Sequence, residues 1–124
     1  MIDPHFITTA NELHGYRVAQ HCGVVRGIVV RSRSAIGNFA AGIQQFFGGN
    51  ISLYTELCEQ TRQEAYDLMR NQAAQMGANA IIAMRYESND IGPGVTEVLC
   101  YGTGVVVTLP ESQPSAVPNE PAAR

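Results

Sequence analysis

Residues 15–32 read GYRVAQHCGVVRGIVVRS, and apolar and polar positions alternate through them with partial regularity. Tyr16, Val18, Cys22, Val24, Ile28 and Val30 share one parity; Arg17, His21, Val25, Val29 and Arg31 share the other. Successive side chains on a strand point to opposite faces, so a two-residue period rich in β-branched residues predicts a long strand. Gly23 and Gly27 mark bulges or bends within it. Upstream, FITTA reads as a short strand and NELHG as its turn.

The period then lengthens. In SAIGNFAAGIQQFFGGN, Phe39, Ile43 and Phe46 or Phe47 fall at helical spacing and predict a short helix with an apolar face, stopped by Gly48 and Gly49. The stretch NISLYTELCEQTRQEAYDLMRNQAAQMGANA holds the main helix. Asn50 or Ser52 suits its N-cap, because a short polar side chain accepts from a free N–H of the first turn. Tyr54, Leu57, Cys58, Thr61, Ala65, Leu68, Met69, Ala73 and Met76 trace one stripe. Glu59, Arg62, Gln63, Asp67 and Arg70 line the other side, and Gly77 closes the helix. About 25 residues at ~1.5 Å each make it near 37 Å long.

ANAIIAMRYES is apolar without interruption until Arg85, as for a strand buried on both faces at its start. NDIGPG makes a turn, and VTEVLCYGTGVVVTL returns as the last strand. Gly102 and Gly104 share a face of it and leave a flat strip that another backbone or side chain can approach. The order is β-β-α-α-β-β. The reading is an α+β domain over 1–109, a mostly antiparallel sheet packed on one long helix. Residues 110–124, PESQPSAVPNEPAAR, carry Pro110, Pro114, Pro118 and Pro121 and read as a disordered tail.

Composition changes this picture in one respect. Of 124 residues, 45% are apolar, enough for a core, but only 15% are charged, well below the usual share. Few charges remain to cover the surface, which points to surface buried against copies of the same chain. The net charge of −3 comes with no block of Lys and Arg, so binding to nucleic acid by phosphate neutralisation is not expected. MIDPHFITTANELHGY has neither a basic nor an apolar signal region, and no apolar run reaches the ~20 residues of a membrane span. Cys22, Cys58 and Cys100 are odd in number and lack a CxxC spacing, which fits reduced thiols in a cytoplasm.

Candidate chemistry is sparse. Zn²⁺ and softer ions need three or four thiolate or imidazole ligands at roughly 2.0–2.3 Å. His21 and Cys22 are adjacent, so on a regular strand they point apart: Cys22 toward the core with Val18 and Val24, His21 toward solvent or another subunit. They share an ion only if Gly23 forms a bulge. Cys58 lies on the apolar helix stripe and Cys100 shares parity with Val98, so all three thiols read as small core hydrophobes first and as metal ligands second. In an assembly of copies, one His or Cys per chain near a shared contact would be multiplied, which keeps a divalent or soft metal ion open as a ligand. No GxSxG, HExxH or P-loop is present. Glu56, Glu64, Glu87 and Glu97, with Arg62 and Arg85, are the available acid–base groups. Glu56 near a helix start is explained by the helix dipole, Arg62 by a pair with Glu59. Glu97 and Tyr101 share a strand face and suit a pocket between subunits; Tyr54 joins them as an interface candidate.

At GVVRGIVV, FAAGIQQFFGG, YTELCEQTRQEAYDLM, GANAIIAMRYES and EVLCYGTGVVV the chain resembles the YbjQ family, in order and with family-like spacing over roughly 6–108. The tail has no counterpart there. The resemblance implies a small cytoplasmic α+β protein that assembles into a homo-pentameric ring, in some members stacked. The family's biochemical role is not established, and its label, heavy-metal-binding, is an inference about function. Two readings follow: a non-enzymatic assembly or binding protein with Phe39, Phe46, Phe47, Gly102 and Gly104 at subunit contacts, or metal binding or sensing through Cys and His near an interface.

Overall fold

The computed structural model describes residues 1–32 and 50–110, with the backbone alone for 50–53. Phe39, Phe46 and Phe47, the expected Phe-rich helix, the capping side chains of Asn50 and Ser52, and the tail beyond Pro110 lie outside the described residues or side chains. A turn of 3-10 helix at Pro4–Phe6 is followed by β1 (Arg17–Ser32), α1 (Asn50–Gln75), β2 (Ala80–Gly92) and β3 (Val95–Thr108). One helix packs on a three-stranded antiparallel sheet of order β1-β3-β2, the α+β class expected. β1 and β2 run parallel, joined through α1, with β3 inserted antiparallel between them.

The expected first strand is reduced to an edge contact. Ile7 bridges Ile81, Thr8 donates its N–H to the Ile81 carbonyl, and Met84 and Ala83 donate to Thr8 and Ala10. The N-terminal segment thus closes part of the outer edge of β2, a region that would otherwise leave backbone groups unpaired.

Three bulges decide which residues face the helix. In β1 the register with β3 shifts between Val18 and Gln20 and again between His21 and Gly23, where Gly23 takes φ +118°. In β2 it shifts between Ile82 and Arg85, and Ala83 adopts φ +56°. Each extra residue reverses the alternation beyond it. The apolar run of β2 is thereby buried on both sides. Ile81 and Met84 join the core under α1, while Ala80 and Ile82 pack with Val105 and Val107 beneath Phe6, Leu13 and Val18. The Val24, Ile28 and Val30 parity, expected with Cys22 in the core, faces outward instead. Beyond the bulge it is Val25, Gly27 and Val29 that are buried.

The helix stripe is narrower than its sequence suggests. Leu57, Thr61, Ala65, Met69 and Ala73, four apart, are buried, whereas Tyr54, Cys58, Leu68 and Met76 of the expected stripe are exposed. The large fully buried side chains Met69, Ile81, Val25 and Val105 are each worth about 1.5–3 kcal/mol of burial. Gly102 and Gly104, expected at a subunit contact, are buried within the chain. A Cβ on Gly102 would stand 2.8 Å from the Ile81 side chain, and one on Gly104 3.2 Å from Val25. The close approach read from the sequence is present, and it is made by the chain's own residues.

Candidate functional site

The three thiols are held apart. Cys100 is fully buried on β3 and donates to the Met69 sulfur at 3.6 Å; burial pushes its thiol up to about 11. Cys58 is exposed on α1, eleven positions before Met69 and so roughly 16 Å from it along the helix. Cys22 is the bulged residue of β1, half-buried against the core, five positions before the Gly27 that pairs with Cys100, or about 15 Å away. His21 is exposed next to it. Among the described residues no three His, Cys, Asp or Glu side chains lie close enough to hold a metal ion. The thiols and imidazoles of a single chain therefore do not fit the ligand set that a structural or soft metal needs. The expected convergence of all three cysteines on one core fails, because Cys58 falls on the outer flank of the stripe.

The acid–base candidates are likewise dispersed into local pairs. Glu64 accepts from Arg31 at 2.5 Å. Glu87 accepts from the Tyr101 hydroxyl at 2.9 Å, and that bond holds the phenol above its ordinary value. Arg85 donates to the carbonyls of Thr9 and Met84. Glu97 is half-buried opposite Val30 and Asn89, and Glu56 is exposed on α1. Arg62 does not sit as a plain helix pair; its guanidinium lies over the Tyr86 ring, 5.2 Å from the centroid.

Two surface features remain. One is a cleft of about 170 Å³ between α1 and the turn end of the sheet, lined by Arg31, Leu57, Cys58, Thr61, Arg62, Ser88, Thr96 and Val98. Its walls come from β1, α1, β2 and β3 together, which is why no contiguous motif announces it. Sequence reasoning singled out Cys58 and Arg62 separately; Arg31, Ser88, Thr96 and Val98 carried no signal. The other feature is an apolar rim along β1. Val24, Ile28 and Val30 are 64%, 44% and 50% exposed, on the sheet face turned away from α1 and across from Thr103, Leu99 and Glu97; Leu68 and Met76 are exposed separately, on the helix side. Among the described residues β1 pairs with β3 on one side alone. Midway along its other side, the Arg26 N–H is taken by the Gln72 side-chain oxygen at 2.7 Å.

A small α+β domain with dispersed polar pairs and an apolar cleft is the class that this geometry defines. A sequence profile described as "Putative heavy-metal-binding" (YbjQ_1) matches residues 5–108. The chain belongs to the YbjQ family. It is 63% identical over 105 residues to a UPF0145 protein of Burkholderia thailandensis, covering 85% of this chain and 95% of that one. A UPF0145 protein of Burkholderia mallei is 61% identical with the same coverage. A protein of unknown function from Pediococcus pentosaceus, of the DUF74 family, shares the fold at TM-score 0.54. It is 19% identical and covers 83% of this chain and 97% of its own.

Proposed function

We propose that this chain is a non-catalytic subunit that assembles with copies of itself and acts by binding. The observation that carries the reading is the row of Val24, Ile28 and Val30, exposed along β1 on the sheet face turned away from α1. Scattered exposed apolar residues are ordinary, but a contiguous apolar strip on a small domain marks an interaction surface. A closed ring buries such a strip on every copy at once. Five-fold closure and the stacking of rings come from the family resemblance, as does a cytoplasmic setting, which three free cysteines suit. Tyr54, Glu56, Glu97 and Tyr101 are surface or half-buried positions open to such contacts.

The second reading is a soft metal ion held between chains. It is favoured by His21 and Cys22, adjacent in β1 at a bulge, where the regular alternation that would point them apart is interrupted. Native mass spectrometry of the protein purified without chelator tests both. An integer multiple of the bare chain mass supports assembly, and Val24→Glu with Ile28→Glu then releases folded monomer. Extra mass in metal-sized steps, lost on acidification and in Cys22→Ser, supports the second reading. A monomer at micromolar concentration defeats the first.

A further inference from the structure

We propose that the cleft between α1 and the turn end of the sheet binds a small monoanion with a compact apolar body, a carboxylate of about benzoate's size. The proposal names a ligand for the binding role above and rests on that half of the reading, not on assembly. The floor is apolar: Leu57 and Val98 are buried, and the Thr61 hydroxyl is spent on the Leu57 carbonyl at 2.8 Å, leaving its methyl. Thr96 likewise donates to Asp90 at 3.1 Å. The walls therefore ask for a body that makes no hydrogen bonds of its own.

The mouth asks for one negative charge. Of the two guanidinium groups on the lining, Arg31 is neutralised by Glu64. Arg62 is not: among the described residues no carboxylate stands within ion-pair distance of it. Tyr86 holds one face of its planar fork, which leaves the N–H edges free to meet a carboxylate in two parallel bonds. A single unpaired cation over an apolar pocket suits a monoanion. A phosphate, with its greater charge, would call for a second unpaired cation or a glycine-rich backbone cradle, and the lining supplies neither. The volume, about 170 Å³, is close to the ~150 Å³ of an apolar cavity that accepts benzene. Cys58 stands exposed on the lining and reports on its occupancy.

The test is calorimetric titration of the full chain with benzoate and with its neutral isostere benzamide. Oligomer mass is measured on the same samples, so that failure of ligand binding and failure of assembly are read separately. Expected are saturable benzoate binding, about tenfold or more weaker binding of benzamide and of benzoate to Arg62→Gln, and partial recovery in Arg62→Lys. Arg62 is exposed, so the variant should keep its melting temperature. Cys58→Phe, which sets a ring over the mouth from an exposed position, should abolish binding, and benzoate should slow maleimide addition to Cys58 in the parent protein. No saturation by about 10 mM benzoate, or equal affinity in Arg62→Gln, overturns the proposal. A large gain in affinity in the Phe46→Ala, Phe47→Ala double variant also overturns it, because the cleft would then belong to the chain's own rings.

Discussion

Gly27 and Ala65 stand closer than any side chain would permit. A Cβ on Gly27 would lie 2.1 Å from the Ala65 carbonyl oxygen and 2.6 Å from the Met69 nitrogen. The helix backbone rests directly on β1 at this point, and the obstacle is backbone on both counts, which no rotamer change can relieve. Gly27→Ala should therefore cost about 3 kcal/mol or more, at the upper end of overpacking. A lowered urea midpoint at unchanged slope is the expected signature. A loss under about 1 kcal/mol would mean that α1 does not lie where it is placed.

Ala83 supplies a prediction of opposite sign. Its φ of +56° is a left-handed conformation that costs an L-residue about 1–2 kcal/mol and costs glycine almost nothing. Ala83→Gly should stabilise the protein, by about 0.5–1 kcal/mol once the added freedom of the unfolded chain is subtracted. Ala83→Val should destabilise it, since a β-branched residue tolerates this region worst. Thermal melts of the two variants should bracket the parent.

The buried thiol sets an alkaline limit. Burial lifts Cys100 from its ordinary 9 to about 11, and Tyr86, desolvated and beside Cys100, to about 12. Between pH 9 and 11 the unfolded chain gives up the Cys100 proton and the native chain keeps it. The native state then binds more protons, so stability falls as pH rises through that window and is whole below it. A shift of two units amounts to about 2–3 kcal/mol. Urea midpoints measured from pH 7 to 11 should show the fall, and Cys100→Ala should remove its onset near pH 9, leaving the part due to Tyr86 above pH 10, while lowering the plateau through the cavity it leaves.

Thiol labelling should follow the burial order. Maleimide should add quickly at Cys58, slowly at the half-buried Cys22, and at Cys100 only on unfolding. Peptide mapping of the first adduct decides it: label at Cys100 under native conditions would contradict its burial.

The sequence made some of this plain and hid the rest for physical reasons. The long helix and the β2–β3 hairpin were legible from period, length and turn residues, but the turn read over NDIGPG is tighter: residues 89–92 continue β2, and Pro93 and Gly94, the latter at φ +70°, make the turn. The faces of β1 were not. Parity counting groups Val18 with Val24 rightly, because the two bulges between them cancel, but it set that face inward with Cys22, itself the bulged residue, and Val24 emerges 64% exposed. The bulge at Gly23 was foreseen as a condition for His21 and Cys22 to act together, but not as the device that turns Val25 and Val29 inward. Cys58 was misplaced for a related reason: a stripe drawn broadly around a helix includes flanks that a flat sheet does not reach. The cleft drew no signal at all, since Arg31 and Arg62 meet across it from elements 31 residues apart in the chain.

The bond from Arg26 to Gln72 bears on what this protein avoids becoming. A sixteen-residue strand rich in valine and isoleucine, with one side unpaired among the described residues, is the kind of template on which identical strands stack without end. Here the helix reaches down and fills one rung of that ladder at its midpoint. An incoming strand finds two short stretches where it needs one long one, and neither alone holds it well. A copy that docks here would have to do so through side chains, over surfaces that can be used up. A molecule built this way can count its neighbours, whereas one with an unbroken edge could only go on adding them.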